Sequence, residues 1–128
     1  MAQPLALVFY ERLLPGQPLI NRLRDLDYRV RALDAPGEVL TAASHERPML
    51  LFLELGVHAA EVCAVIRKLR SSGDTAHIPV FVWPGHLDRP ARQQAVREAQ
   101  VAGAAVLSPG PQMIEQLPEL IAQSLDFS

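Results

Sequence analysis

Apolar and polar residues follow two different spacings along this chain, and the switches between them mark out the elements. Leu5-Ala6-Leu7-Val8-Phe9-Tyr10 is an unbroken apolar run, the pattern of a strand covered on both faces of a parallel sheet. Beyond Pro15-Gly16 the spacing becomes helical: Leu19, Ile20, Leu23 and Leu26 share one side, and Arg22, Arg24 and Asp25 take the other. Tyr28, Val30 and Ala32 alternate with Arg29 and Arg31, which predicts a strand near a sheet edge. Pro36 suits the first turn of a short helix ending near Ser44-His45. A second apolar run, Met49 to Leu53, stops at Glu54, and a charge there is expected at the carboxyl end of a strand rather than in the core. Val62, Val65, Ile66 and Leu69 predict the next helix, closed by Ser71-Ser72-Gly73-Asp74.

Ile78 to Trp83 reads as a further buried strand, with Pro79 tolerable near its start. After a loop from Pro84 to Asp88, Asp88 is placed to cap a helix entered through Pro90 and running from Ala91 to Ala102. That helix has a weak apolar face of Ala91, Ala95, Val96 and Ala99. Ala104 to Leu107 is a short last strand, and Met113 to Leu125 a last helix with Ile114, Leu117, Ile121 and Leu125 inward. Pro118 either kinks this helix or sets its proper start near Leu117. Strands alternating with helices at this spacing call for a parallel sheet covered on both faces, because right-handed crossovers put the helices there. The expected class is a doubly wound α/β sandwich with five parallel strands and five helices.

Composition narrows the function. With 128 residues, 49% of them hydrophobic, and no repeat or linker, residues 1–128 suit one domain. Twelve Lys+Arg against fourteen Asp+Glu leave a net charge of −2, too little positive field to favour nucleic acid or an anionic membrane. No apolar run reaches the roughly 18 residues of a spanning helix, and Met1 to Pro4 has no signal-peptide pattern. A cytoplasmic location is the expectation. Cys63 is the only cysteine, so no intrachain disulfide or cysteine-cluster metal site is available; it is expected as a small core residue. His45, His77 and His86 are scattered, and His58 shares a helix face with Glu61; all four are expected as surface histidines. In a doubly wound fold the site lies beyond the carboxyl ends of the strands. Candidate chemistry is therefore sought at Tyr10-Glu11, Glu54 to Gly56, Pro84-Gly85 and the residues after Leu107.

Several segments, in this order and at this spacing, resemble the receiver domain of bacterial response regulators, the CheY-like module that accepts a phosphoryl group from a histidine kinase. They are Pro48-Met49-Leu50-Leu51-Phe52-Leu53-Glu54-Leu55, His77-Ile78-Pro79-Val80 and Ala102-Gly103-Ala104. The resemblance covers nearly the whole chain and implies a flavodoxin-like sheet of strand order 2-1-3-4-5. It puts the phosphoacceptor on Glu54 and the metal-binding acidic pair on Tyr10 and Glu11. The hydroxyl residue that throws the family's switch falls on Pro84, and the family's lysine on Gly110 or, with one deletion, Pro109. Lys68, the only lysine of the chain, lies in mid-helix and fills none of these places.

What the resemblance implies is a degenerate receiver, or pseudoreceiver. Glu54 carries a carboxylate where a phosphoryl group would bring about −1.5 to −2 charge and three acceptor oxygens. Its extra methylene moves the oxygen by more than about 1 Å, enough to spoil in-line geometry. Glu54 is then either a solvated strand-end carboxylate or a fixed charge that sets the local conformation. Mg²⁺ is a weak expectation, with Glu11, Glu54 and the Gly56 carbonyl as its only candidates, since a hard cation wants more oxygen ligands than these. No catalysis and no other cofactor are expected. The expected partner is a protein, a histidine kinase or an output protein. It would dock on the face of the fourth and fifth helices through Arg92, Arg97, Gln100, Glu115 and Glu119, which also suits a homodimer. Two other readings stay open: an active receiver phosphorylated on Glu54 with Mg²⁺, and a flavodoxin-like small-ligand binder. Against a flavin stands Tyr10 to Pro15, which has no serine, threonine or glycine to cradle a phosphate.

Overall fold

The structure, a computed structural model, describes residues 3–108 and 111–126. Five parallel strands form one sheet in the order β2-β1-β3-β4-β5: β1 Leu5–Phe9, β2 Arg29–Leu33, β3 Leu50–Leu55, β4 Val80–Pro84 and β5 Ala105–Val106. The unbroken apolar runs are the inner strands, as expected for strands covered on both faces, and every residue of β1 and β3 is buried. The arginine-bearing β2 lies at one edge with Arg29 and Arg31 exposed.

The helices are α1 Leu13–Asp25, α2 Pro36–Glu46, α3 Ala59–Ser71, α4 Arg89–Ala102, α5 Pro111–Glu115 and α6 Leu117–Asp126. They divide the core in two. On one face α2, α3 and α4 cover Leu5, Leu7, Phe9, Leu51, Leu53 and Val82 with Val39, Val62, Ile66, Leu69 and Ala99. On the other, α1, α5 and α6 cover Val8, Phe52, Phe81 and Trp83 with Leu19, Leu23, Met113, Leu117 and Ile121. Phe52 and Phe81 stack there with ring centroids 5.0 Å apart. Each fully buried aliphatic or aromatic side chain contributes about 1.5–3 kcal/mol, which is why the apolar stripes dictate the layers.

Local signals set the boundaries. Asp88 accepts a hydrogen bond from the Ala91 amide at 3.0 Å and Pro90 occupies the first turn of α4, while Gly103 ends that helix at φ 109°, a conformation that favours glycine. Leu14 is extended (φ −114°, ψ 127°), so the regular part of α1 starts only at Pro15. Pro118 settles the alternative left by the sequence: it has no N–H to return to the preceding turn, and the segment expected as one last helix divides into α5 and α6. Ala91, expected on the apolar face of α4, is exposed: it stands in the first turn, while Ala95 and Ala99, one and two turns further along the same stripe, are buried. No helix among the described residues is long and apolar enough to cross a membrane.

Candidate functional site

At the carboxyl end of the sheet the loop after β1 meets the loop after β3, and the two carboxylates expected there cross over. Glu54 is part of β3, which runs on to Leu55, and its residue is only 1% exposed. This corrects the expectation of a carboxylate at the strand's solvated end. The strand keeps its pairing through Glu54, opposite Trp83, because Leu55 still finds a partner in Pro84. Glu54 Oε1 accepts hydrogen bonds from the amides of Glu11 at 3.0 Å and Arg12 at 3.3 Å, both in the β1–α1 loop. Glu11 reaches the other way. Its Oε1 accepts from the Val57 amide at 2.9 Å and its Oε2 from the His58 amide at 3.2 Å, in the turn that opens α3.

Each loop thus supplies a carboxylate to the other loop's backbone. The geometry depends on two glycines. A Cβ at Gly56 would lie 2.6 Å from Glu11 Oε1, and one at Gly85 would lie 2.3 Å from Glu54 Oε2. The chain places small residues where carboxylates must pass close to backbone. Gly85 is itself held by a hydrogen bond from its amide to the Leu55 carbonyl at 2.9 Å.

Glu54 Oε2 is buried and has no hydrogen-bond partner. Burial raises the Glu54 pKa, since desolvation penalises the charged form; the Glu11 and Arg12 amides oppose the shift, the Glu11 charge adds to it and the Arg12 charge opposes it. The net direction is upward. Trp83 is fully buried beside Glu54, and its Nε1 is a second buried polar atom without a partner.

Tyr10, the other member of the expected acidic pair, is half-buried against the core face that α1 covers. Its ring packs on α1, so closely that a Cβ at Gly16 would lie 2.6 Å from it. Pro84 is the last residue of β4 and offers no side-chain donor. Gly110 and Pro109, the places expected for a lysine, lie outside the described residues.

These groups do not fit a divalent cation. Three of the four carboxylate oxygens of Glu11 and Glu54 already take backbone amides, and the fourth is enclosed against Gly85. Gly56, the third weak candidate, is buried beneath the Glu11 carboxylate. A cation site needs oxygens aimed at a shared point and free of donors, and among the described residues no three His, Cys, Asp or Glu side chains converge in that way.

The remaining expected residues are dispersed. Arg92, Arg97 and Gln100 are exposed on α4, Glu115 on α5 and Glu119 on α6. α4 and the last two helices cover opposite faces of the sheet, and Arg97 lines the groove that α4 forms with α3. Cys63 is buried, with its Sγ 3.8 Å from the Ala95 carbonyl oxygen, and burial raises its pKa. His58 Nδ1 lies 3.4 Å from Glu61 Oε1 at the surface.

Two features escaped the sequence. Gly85 was readable only as part of a Pro-Gly loop; its signal is that it stands one residue after the strand that pairs with Glu54's strand. Leu13, Leu14 and Val57 are exposed large apolar residues beside the crossed carboxylates. They carried no periodic signal, since each stands in or beside a loop.

No family model and no curated protein matches this chain. Solved structures do. It is similar to a response regulator from Thermotoga maritima, at 18% identity and TM-score 0.72, covering 94% of this chain and 98% of that one. The signal receiver domain of a signal transduction histidine kinase from Syntrophus aciditrophicus gives 19% identity and TM-score 0.77, covering 96% and 90%. A response regulator receiver protein from Pseudomonas putida gives 20% identity and TM-score 0.74, covering 96% and 98%. The chain has the receiver-domain, flavodoxin-like fold that these proteins share.

Proposed function

We propose that this chain is a degenerate receiver of a two-component signalling system that acts without phosphorylation, as a cytoplasmic protein-interaction module rather than an enzyme. The observation that carries this reading is the crossed pair of carboxylates. Phosphoryl transfer needs a carboxylate oxygen open to in-line attack and charge stabilisation around the transferred group. Glu54 offers one oxygen committed to two amides and one enclosed at Gly85. Pro84 supplies no hydroxyl to follow a phosphoryl group, and Glu11 is spent on the opening turn of α3.

The crossed carboxylates join the two loops without a metal ion. In the proposed role they hold one fixed conformation, and a protein partner, a histidine kinase or an output protein, reads the face of α4 and the last helices that carries Arg92, Arg97, Gln100, Glu115 and Glu119. A second copy of the chain is the other occupant suited to that surface.

The test is an amide NMR titration with Mg²⁺, followed by Mg²⁺ plus beryllofluoride, which mimics a phosphoryl group on a carboxylate. The expected result is unchanged resonances for Glu11, Glu54, Gly56 and α4. Saturable shifts at those residues that spread into α4 overturn the reading and identify a working receiver phosphorylated on Glu54.

A further inference from the structure

We propose that the groove between α3 and α4 is a docking site for an acidic peptide segment of a partner protein, one with an aliphatic side chain between its carboxylates. The groove has a volume of about 450 Å³, and its lining includes Arg67 and Arg70 from α3 and Arg97, Glu98, Val101 and Ala102 from α4. It is distinct from the crossed carboxylates, and it does not depend on how they are read.

Charge is the first argument. Three arginines face one glutamate across this groove. Among the described residues the ion pairs are Arg31 with Glu46 and His58 with Glu61, so neither Arg67 nor Arg97 is held in an ion pair. Glu98 instead accepts a hydrogen bond from Gln94 at 3.2 Å. Arg70 has a structural duty, donating to the carbonyls of Ala76, Ile78 and Gly103, and those neutral acceptors leave its charge uncompensated. The helix ends do not account for the other two. The basic residues of the last turn of α3 are Lys68 and Arg70, and α4 has none, so Arg67 and Arg97 stand outside the turns where the helix dipole is felt.

Shape and polarity are the second argument. Val101 is 85% exposed on a helix whose outer face is otherwise polar, and with Ala102 and the arginine stems it gives the groove an apolar side. A planar guanidinium on each wall suits carboxylates held in two-pronged hydrogen bonds, and the apolar side suits an aliphatic residue between them. A nucleic-acid backbone fits less well, because Glu98 lies in the lining and the chain's net charge is −2.

The test uses the whole chain and a fluorescein-labelled peptide of alternating glutamate and leucine, read by anisotropy, with amide NMR to locate the contact. Saturable binding is expected, with shifts centred on residues 67–71 and 97–102. Arg67→Glu and Arg97→Glu should each weaken binding at least tenfold, as should raising the salt from 0.05 to 0.5 M, and Val101→Asp should weaken it severalfold. These three residues are exposed, and thermal melts confirm that the variants fold. The proposal is overturned by no binding to the folded wild-type chain, by equal binding of a lysine-leucine peptide, by charge-reversed variants that bind like wild type, or by shifts confined to β5 and α6 that leave residues 67–71 of α3 unmoved. Any of these results leaves the Mg²⁺ and beryllofluoride experiment, and so the phosphorylation-independent reading, standing on its own outcome.

Discussion

The contact between Gly85 and Glu54 lends itself to a double-mutant cycle. In Gly85→Ala the new Cβ would stand 2.3 Å from Glu54 Oε2 and 3.0 Å from its Cδ and Cγ, where ordinary contact begins at 3.4 Å. The overlap with the oxygen is thus about 1 Å. Gly85 has little freedom to retreat, because its amide is bonded to Leu55 at 2.9 Å in continuation of the β3–β4 ladder. Either the backbone shifts, an overpacking cost of about 1–3 kcal/mol, or Glu54 swings away and gives up two hydrogen bonds to a charged acceptor, each worth about 1.5–3 kcal/mol. The cheaper route sets the loss, so Gly85→Ala is expected to cost about 2 kcal/mol.

In an Glu54→Ala background the obstructing atoms are gone. The same Gly85→Ala change should then be neutral, or stabilising by about 0.4–1 kcal/mol through the unfolded chain, because Gly85 does not have the positive φ that strains a side chain. Urea unfolding of the four proteins gives the coupling energy whatever the effect of Glu54→Ala alone. A coupling near 2 kcal/mol supports the buried, Gly85-facing carboxylate. A coupling below about 0.5 kcal/mol refutes it and returns Glu54 to the solvent.

Glu11→Ala removes the acceptor for the Val57 and His58 amides and should cost about 1 kcal/mol, in the range of a lost helix cap; hydrogen exchange at the start of α3 should quicken while exchange in α6 stays unchanged. Glu54 also predicts a pH dependence whose sign follows from its raised pKa. Its contribution to stability is fully present below the ordinary glutamate value of about 4.3 and is lost as pH rises through the folded value. Relative to Glu54→Gln, which does not titrate, wild type should therefore lose stability from pH 4 upward and level off above that folded value. Denaturation midpoints at successive pH values check this, and a difference that stays flat or grows in favour of wild type with pH contradicts it.

The strands could be read from the sequence because each inner strand is a continuous apolar run, and a run covered on both faces leaves no other environment to satisfy it. The arginines of β2 likewise told of an edge. The site was less legible for a physical reason: its arrangement depends on how two loops approach each other, and nothing periodic encodes that approach. Glu54 as a residue type indicates solvent, yet two amides from residues 43 and 42 positions away draw it inward. Tyr10 stood in a position expected to be acidic, and only the proximity of Gly16 shows why an aromatic ring fits there. Pro118, in contrast, stated its own effect, because a missing N–H acts through the local chain alone.

The crossed carboxylates also bear on how two acidic side chains can be held together at the carboxyl end of a parallel sheet. Two carboxylates placed near each other beyond a sheet repel, and a hard cation is one way to hold them. Backbone amides are another, since each N–H carries a fixed dipole toward the oxygen it meets. Here Glu54 draws the β1–α1 loop inward while Glu11 grips the turn before α3, so the two negative charges are each compensated by the opposite loop. The two glycines leave the room this exchange needs. Both loops are fastened this way by groups of the chain itself, and Pro84 stands beside them at the end of β4 with no side-chain donor to add. Elsewhere the charges are not compensated in this way, and Arg67 and Arg97, which line the groove between α3 and α4, form no ion pair among the described residues.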